Sequence, residues 1–595
     1  MHRLSGLLLV AAVLGLSAPA DTHLDGKALF EANCAVCHKP GAENRTPPPE
    51  ALKRLSNGSI AGSLESGAMK AQAAALTPLE RQAIADFLVP RVTEIAEAML
   101  PNQCPAAAKP LASLAGWNGW SPDLVNTRYQ PDGGIDAADI PSLRVKWAFG
   151  LPNTSSMFGE PSFAGGRLFF GSGNGTVYSL DAATGCVYWT FKAPSQVRTA
   201  VAVGAWDGRY AAYFGDGSAV VYAVDAQTGK LIWKTKIDDH KLAGITGAPK
   251  LYGGKLYVPV RSGSEEMLAA QLKYECCTFR GSLVALDAKT GAKVWKTYTI
   301  PDPPGLVGKN SASTDKYGPS GAGIWSSPTI DVKRKAVYVG TGNNYSDPPT
   351  KYADAILAFD LDTGSLRWVK QMNQDVWNYS CSQTVKANCP EKPDMDTDIG
   401  TSPILHQLPN GKDLLLFGQK SAMVRAIDPD QRGEIVWEKQ IGKGGALGGV
   451  MWGLAADQNQ VYAPLSDIYP GPPGGLFGFN IATGKQTWSV PPVEGTCGGK
   501  PSGCSPAQMA PATAIPGVVF SGSLDGHLRA YSSADGKLVW DFDTQRDFET
   551  INGVKAHGGS LNATGPIIAN GMLFVNSGYS QLTGMGGNVL LAFGK

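Results

Sequence analysis

The chain has 595 residues and a formal net charge of +1, from 52 Lys and Arg against 51 Asp and Glu. That length exceeds one compact core, so at least two domains are expected, and a balanced charge without a basic stripe argues against nucleic acid as a partner. Glycine at 72 residues and tryptophan at 14 favour an all-β chain with many turns over a helical bundle.

In chain order, Arg3, the apolar run Leu7 to Leu16 and Ala18-Pro19-Ala20 read as the three regions of a signal peptide over 1–20. The run is too short to span a bilayer, and no later segment reaches the required length, so the chain is expected not to be membrane-spanning. The mature protein should begin near Asp21 and sit in the periplasm or outside the cell, where disulfides persist.

Next comes Cys34-Ala-Val-Cys37-His38, the spacing for covalent haem c attachment. The cysteines form thioethers to the haem and the adjacent His ligates its iron. A bare Cys-x-x-Cys redox pair is the alternative, but it needs neither the immediate His nor the all-α surroundings. A short helix is predicted from Asp25 to Asn33, and a second over Leu79 to Leu88, opened by Thr77 as N-cap, Pro78 at N1 and Glu80 at N3. Met69, in Gly67-Ala-Met-Lys70, precedes that second helix. This order resembles class I cytochrome c domains, whose distal iron ligand is such a Met; the resemblance implies His38 and Met69 as the haem-iron ligands, with Met99 the weaker candidate. A small all-α cytochrome c domain is therefore expected over 21–100, then a linker over 101–115.

From about residue 116 onward the chain repeats itself. Asp181-Ala-Ala-Thr-Gly185 followed by Trp189 recurs at Asp225 with Trp233, Asp287 with Trp295 and Asp360 with Trp368. Degenerate copies follow at Asp428 with Trp437, Asn480 with Trp488 and Ser532 with Trp540, and Trp147 adds a further Trp-bearing strand. Each copy reads as strand, tight turn, strand ending in Trp. An eight-bladed β-propeller over 116–595 is predicted, closed when Asn588 to Phe593 pairs into the N-terminal blade. Of ten cysteines, eight lie outside the haem motif. Cys381/Cys389 and Cys497/Cys504 read as short-loop staples, and Cys104 and Cys186 are left for each other. Cys276-Cys277 are adjacent, with Cα atoms about 3.8 Å apart, so a bond between them closes a strained ring rather than a staple.

The Asp-x-x-Thr-Gly-x-x-x-Trp box resembles the tryptophan-docking motif of pyrroloquinoline quinone (PQQ) dehydrogenases, although non-enzymatic outer-membrane assembly propellers carry a similar one. In that family a Trp forms the floor under the quinone and the Asn of Gly-Thr-Gly-Asn ligates Ca²⁺; Trp325 and Asn343 occupy those places. The resemblance further implies Glu266 as a calcium ligand with Glu265 as the fallback, and Thr246 and Arg198 as contacts to PQQ. Lys420 would stabilise charge on the reduced quinone. The catalytic base is expected between Gly-Thr-Gly-Asn and the next strand, at Asp354 in preference to Asp347. The family also places a vicinal disulfide over the quinone, which Cys276 and Cys277 would supply from a different position in the chain.

An N-terminal cytochrome, with Tyr274 to Gly281, Asp181 to Cys186 and Asn552 to Ser560, is similar to the layout of the polyvinyl alcohol dehydrogenase branch. The implied activity is oxidation of a secondary alcohol, polymeric in that branch, with electrons passing from PQQ to haem c and on to a soluble cytochrome c. The same chemistry on another alcohol or aldehyde is the second reading. A non-enzymatic assembly propeller fused to an electron carrier is the third.

Overall fold

The computed structural model describes residues 25–39, 49–53, 60–61, 63–64, 69, 72–89, 102–105, 110–111, 114–262, 265–469, 471–580 and 583–595. The expected signal peptide, Met99 and positions 101, 106–109 and 112–113 of the expected linker lie outside these residues. The chain divides into two compact units, Met1–Ile95 and Ala96–Lys595. Among the described residues, no helix is long and apolar enough to cross a membrane.

The first unit is helical. Asp25 caps Gly26–Asn33 by accepting from the backbone N–H groups of Lys27 and Ala28, and Pro78–Leu88 opens with the expected Thr77–Glu80 capping box. The two helices cross at Gly26, where a Cβ would fall 2.0 Å from the Ala83 carbonyl oxygen. Phe30 and Phe87 meet beside that crossing with ring centroids 5.8 Å apart, and Leu64, Ile84 and Leu88 complete the core.

The second unit is an eight-bladed propeller. Among the described residues, seven sheets have four strands and one has five, each built from consecutive antiparallel strands. The exception closes the ring: Arg144–Gly150 forms the outer strand of a blade whose other three strands come from the C-terminus. Pairing of Val589–Gly594 with Arg144–Gly150 thus leaves no open edge between the chain ends.

The repeat box explains how blades dock. Trp147, Trp189 and Trp437 each donate an indole N–H to a carbonyl of the following blade, at Ala182, Ala226 and Ile481. Each ring lies on the glycine that ends the next box. Gly364 has φ +71°, and a Cβ there would fall 2.4 Å from Trp295, so the position demands glycine for both conformation and approach. The core is therefore interblade, as where Phe149, Phe170, Tyr178 and Phe574 pack together.

Residues 117–133 form a strap that visits all eight blades in ring order. The carbonyls of Trp117, Leu124, Val125, Thr127, Arg128 and Gly133 accept from Phe163, Ile330, Leu405, Ala456, Ala514 and Gly571. Asn118 exchanges two side-chain bonds of 2.7 Å with the Val203 backbone, and the Lys250 ammonium reaches the Asp123 carbonyl and the Asn126 amide. At its centre Arg128, wholly buried, pairs with Glu160 at 2.8 Å between Trp117 and Trp120.

The three pairings read above, Cys104–Cys186, Cys381–Cys389 and Cys497–Cys504, are present, and so is the vicinal Cys276–Cys277 bond that the family resemblance implies.

Candidate active site

Antiparallel strands in chain order put the Asp/Thr-Gly turns at one end of the propeller. The loops after each second strand and the connections between blades lie at the other. Arg198, Thr246, Glu266, Trp325, Asn343, Asp354 and Lys420 all belong to that second end.

There the structure builds an acidic cluster. The Asn343 amide donates to Glu266 at 3.2 Å and to Asp396 at 3.3 Å, while its backbone N–H donates to Asp398 at 2.7 Å. The Lys420 ammonium bonds both Asp396 oxygens, at 2.9 and 3.0 Å, and Asp398 at 2.7 Å. Burial would depress this ammonium, but Asp396, Asp398 and Glu266 hold it well above its usual value. Burial, then Asp398 and Asp396, lifts Glu266 well above the carboxylate range. Burial likewise pushes Asp396 up to about 7 against the opposing pull of Lys420. Ionised together, three carboxylates face one ammonium, and the Asn343 carbonyl oxygen is buried with no hydrogen-bond donor. An orphaned amide oxygen among carboxylates with excess negative charge is the donor set a hard divalent cation takes.

A cation-rich wall stands opposite. Trp325 packs against Gly400, where a Cβ would fall 1.8 Å from its ring, and the Lys420 ammonium sits 5.6 Å from its centroid. Trp452 stands perpendicular to Trp325 at 5.0 Å. The Arg198 guanidinium lies 4.6 Å from the Trp452 ring centroid and donates to the Tyr579 hydroxyl at 3.3 Å. Arg198, Thr246, Trp325 and Trp452 share one cavity. A flat aromatic floor with arginine and lysine at its rim suits a planar, anionic ring system.

Several expectations change on this geometry. Glu265 is wholly buried and accepts from Tyr274, Thr278 and Phe279, so it holds its own loop, and Glu266 alone joins Asn343. Asp354 is wholly buried, and its carboxyl faces Asp375. Asp347 is half-buried beside Pro348, and Asp396 takes the place beside Asn343 and Lys420 instead. The Asp396-Thr397-Asp398 run preceding Gly400 was the available signal: two acids in an interblade connection just before an inner strand. Trp452 had no such signal. Cys276–Cys277 is buried with Phe279 and Tyr345 and exchanges backbone bonds with Tyr317, one layer from Glu266 along the same loop.

In the first unit, Cys34, Cys37, His38 and Met69 line a single cavity with Leu64 and Ile84. Cys34 and Cys37 are not joined to each other. Two free thiols, an imidazole and a thioether around an apolar hollow fit haem c, with Met69 as the sulfur ligand. Met69→His is expected to lower the haem reduction potential, read by redox titration; an unchanged potential would put another group on the iron.

Comparison with known proteins follows these features. The family model described as outer membrane protein assembly factor BamB matches residues 131–376, 420–546 and 479–590. The model described as cytochrome c oxidase, cbb3-type, subunit III, matches 21–88. A polyvinylalcohol dehydrogenase of Pseudomonas sp. is 40% identical over 99% of this chain and 96% of its own length. A second, from Sphingopyxis sp., is 40% identical over 97% of this chain and 94% of its own. The quinohemoprotein alcohol dehydrogenase of Comamonas testosteroni is 25% identical over 73% of this chain and 70% of its own. A crystal structure of that kind from C. testosteroni superimposes with a TM-score of 0.58 over 81% of each chain at 20% identity, a likeness of fold. With two relatives matched at that identity from end to end, the chain belongs to the polyvinyl alcohol dehydrogenase family of alcohol dehydrogenases.

Proposed function

We propose that this chain is a periplasmic quinohaemoprotein that oxidises secondary alcohol groups, those of polyvinyl alcohol in particular, to ketones. The convergence of Asn343, Glu266, Asp396 and Lys420 beside Trp325 carries this reading. When bound, PQQ supplies a two-electron acceptor, Ca²⁺ a polarising cation, and haem c a one-electron outlet to a soluble cytochrome c. Asn343 and Glu266 would hold the cation, with the carboxylates of Asp396 and Asp398 beside them. Asp396 accepts the proton of the substrate hydroxyl, as the carboxylate held between the Asn343 side-chain amide and Lys420. Lys420 stays charged and offsets negative charge that develops beside Trp325. A secondary alcohol within a polymer has the same reacting carbon as a small secondary alcohol, and the two polyvinylalcohol dehydrogenases matched from end to end support the polymer. The leader-like residues 1–20 and the four disulfides support export to an oxidising compartment.

The test is to load the haem-bearing protein with PQQ and Ca²⁺ and follow reduction of the haem band. Polyvinyl alcohol and small secondary alcohols are expected to reduce it, faster than primary alcohols or aldehydes. Prior treatment with a chelator should abolish the response, and added Ca²⁺ should restore it. Failure of every alcohol to reduce the band removes the enzymatic reading; preference for a primary alcohol or an aldehyde removes the secondary-alcohol one.

A further inference from the structure

Three of the four arginines buried among the described residues have carboxylate partners: Arg128 pairs with Glu160, Arg425 with Glu438, and Arg529 with Asp525, while the fourth, Arg167, donates to the carbonyls of Ala226 and Gln227. That is the ordinary condition for taking a charge out of water. Arg261 departs from it. It ends the strand Lys255–Ser262, in the segment that presents Glu266, and its Nε donates to the Thr246 hydroxyl. Its Nη1 donates to the Ser262 carbonyl at 2.5 Å, and its Nη2 has no acceptor among the described residues. Burial first, then the like charge of Arg198, pulls Arg261 down to about 10, despite Tyr345, Tyr579 and Glu266.

Arg198 likewise makes no ion pair among the described residues: aromatic rings and one tyrosine hydroxyl surround it. Two like charges near one cavity, neither in an ion pair among the described residues, leave a place for an anion with more than one carboxylate. The bond from Arg261 to Thr246 locates that place, because Thr246 lines the cavity shared by Arg198 and Trp325. A neutral alcohol does not satisfy two guanidinium groups; a flat polycarboxylate lying on Trp325 does, and PQQ is one.

We propose that Arg261 is a cofactor-binding residue whose guanidinium, held by Thr246, receives a carboxylate of the quinone alongside Arg198. Neither the tryptophan-docking motif nor the Gly-Thr-Gly-Asn segment assigns it a role. The assignment rests on the quinone reading above, and its test separates the two.

PQQ and its trimethyl ester are titrated into Ca²⁺-loaded protein freed of quinone, with quenching of tryptophan fluorescence as the readout. The parent is expected to prefer the acid over the ester. Arg261→Met is expected to weaken PQQ roughly 10- to 100-fold, the loss of a charge-assisted forked pair. It should leave the ester within about twofold, the usual error of additivity. Arg261→Lys keeps the charge and loses the fork, so it should fall between the two; it also carries the test if the Met variant does not fold. Acid affinity equal to the parent in either folded variant overturns the proposal, as does equal weakening of acid and ester, which marks a packing role. If the parent binds neither compound, the quinone reading falls and the assignment with it.

Discussion

Asp396→Asn is expected to lower the rate of alcohol-dependent haem reduction by roughly 10²–10⁴-fold, the usual worth of a positioned general base. Asn keeps the shape and can still accept from Lys420, so the fold and the cofactor pocket should survive. What disappears is the carboxylate that accepts from the Asn343 side-chain amide and meets Lys420 with both oxygens. Single-turnover reduction of the haem, measured on protein loaded with PQQ and Ca²⁺, isolates this loss from product release. Asp347→Asn should change little, because its half-buried loop position touches none of the cluster.

Asp354→Asn should behave in the opposite sense. Asp354 has φ +49°, a conformation Asn tolerates well, and its wholly buried carboxyl faces Asp375 with no donor available when both are ionised. Burial, then Asp375, lifts Asp354 well above the carboxylate range, while burial pushes Asp375 up to about 6. A carboxyl raised in the folded state costs nothing below its unfolded value and loses stability as pH rises through its folded one. The neutral variant should therefore melt above the parent at about pH 8, match it near about pH 4, and keep its turnover. Loss of turnover in Asp354→Asn with full turnover in Asp396→Asn would reverse the assignment.

Arg128→Met is expected to cost about 3–5 kcal/mol of stability, the penalty for stranding one member of a buried ion pair. Glu160 would then be buried against only the Gly565 N–H, and burial already pushes its carboxyl upward even with Arg128 present. Arg128 also donates to the carbonyls of Ala512 and Trp120 and to the Thr513 hydroxyl, so its loss frees the strap from the blade that holds 512–513. Adding Glu160→Gln to Arg128→Met should recover a large part of the loss by removing the stranded charge. Denaturant unfolding of the full chain measures both. A single variant as stable as the parent would mean that the strap is not fastened at its centre.

The expectations that held were carried by contiguous residues. Thr77 and Glu80 are three residues apart, and their capping box formed as read. The Asp-x-x-Thr-Gly turns and their tryptophans recur within single blades, and the docking they imply is seen at Gly364 against Trp295. Two of the cysteine pairings followed from their short loops, and Cys104 and Cys186 were then left for each other. The strap was not legible: its residues lack periodicity, since each successive hydrogen bond goes to a different blade.

What the amino-acid sequence determined alone is the local chemistry: the haem attachment motif, the capped helices, the repeated turn-and-tryptophan unit, and the stacking and amide positions Trp325 and Asn343. Those features depend on neighbours a few residues away, where backbone geometry fixes relative position. The contacts that set Asp396 and Glu266 beside Asn343, and that bring Trp452 to the cavity and Arg261 to Thr246, come from tertiary structure. These side chains come from loops of different blades that converge on one end of the propeller. Adjacent acids such as Glu265 and Glu266 point to different partners there, and only the closed ring settles which one faces the site.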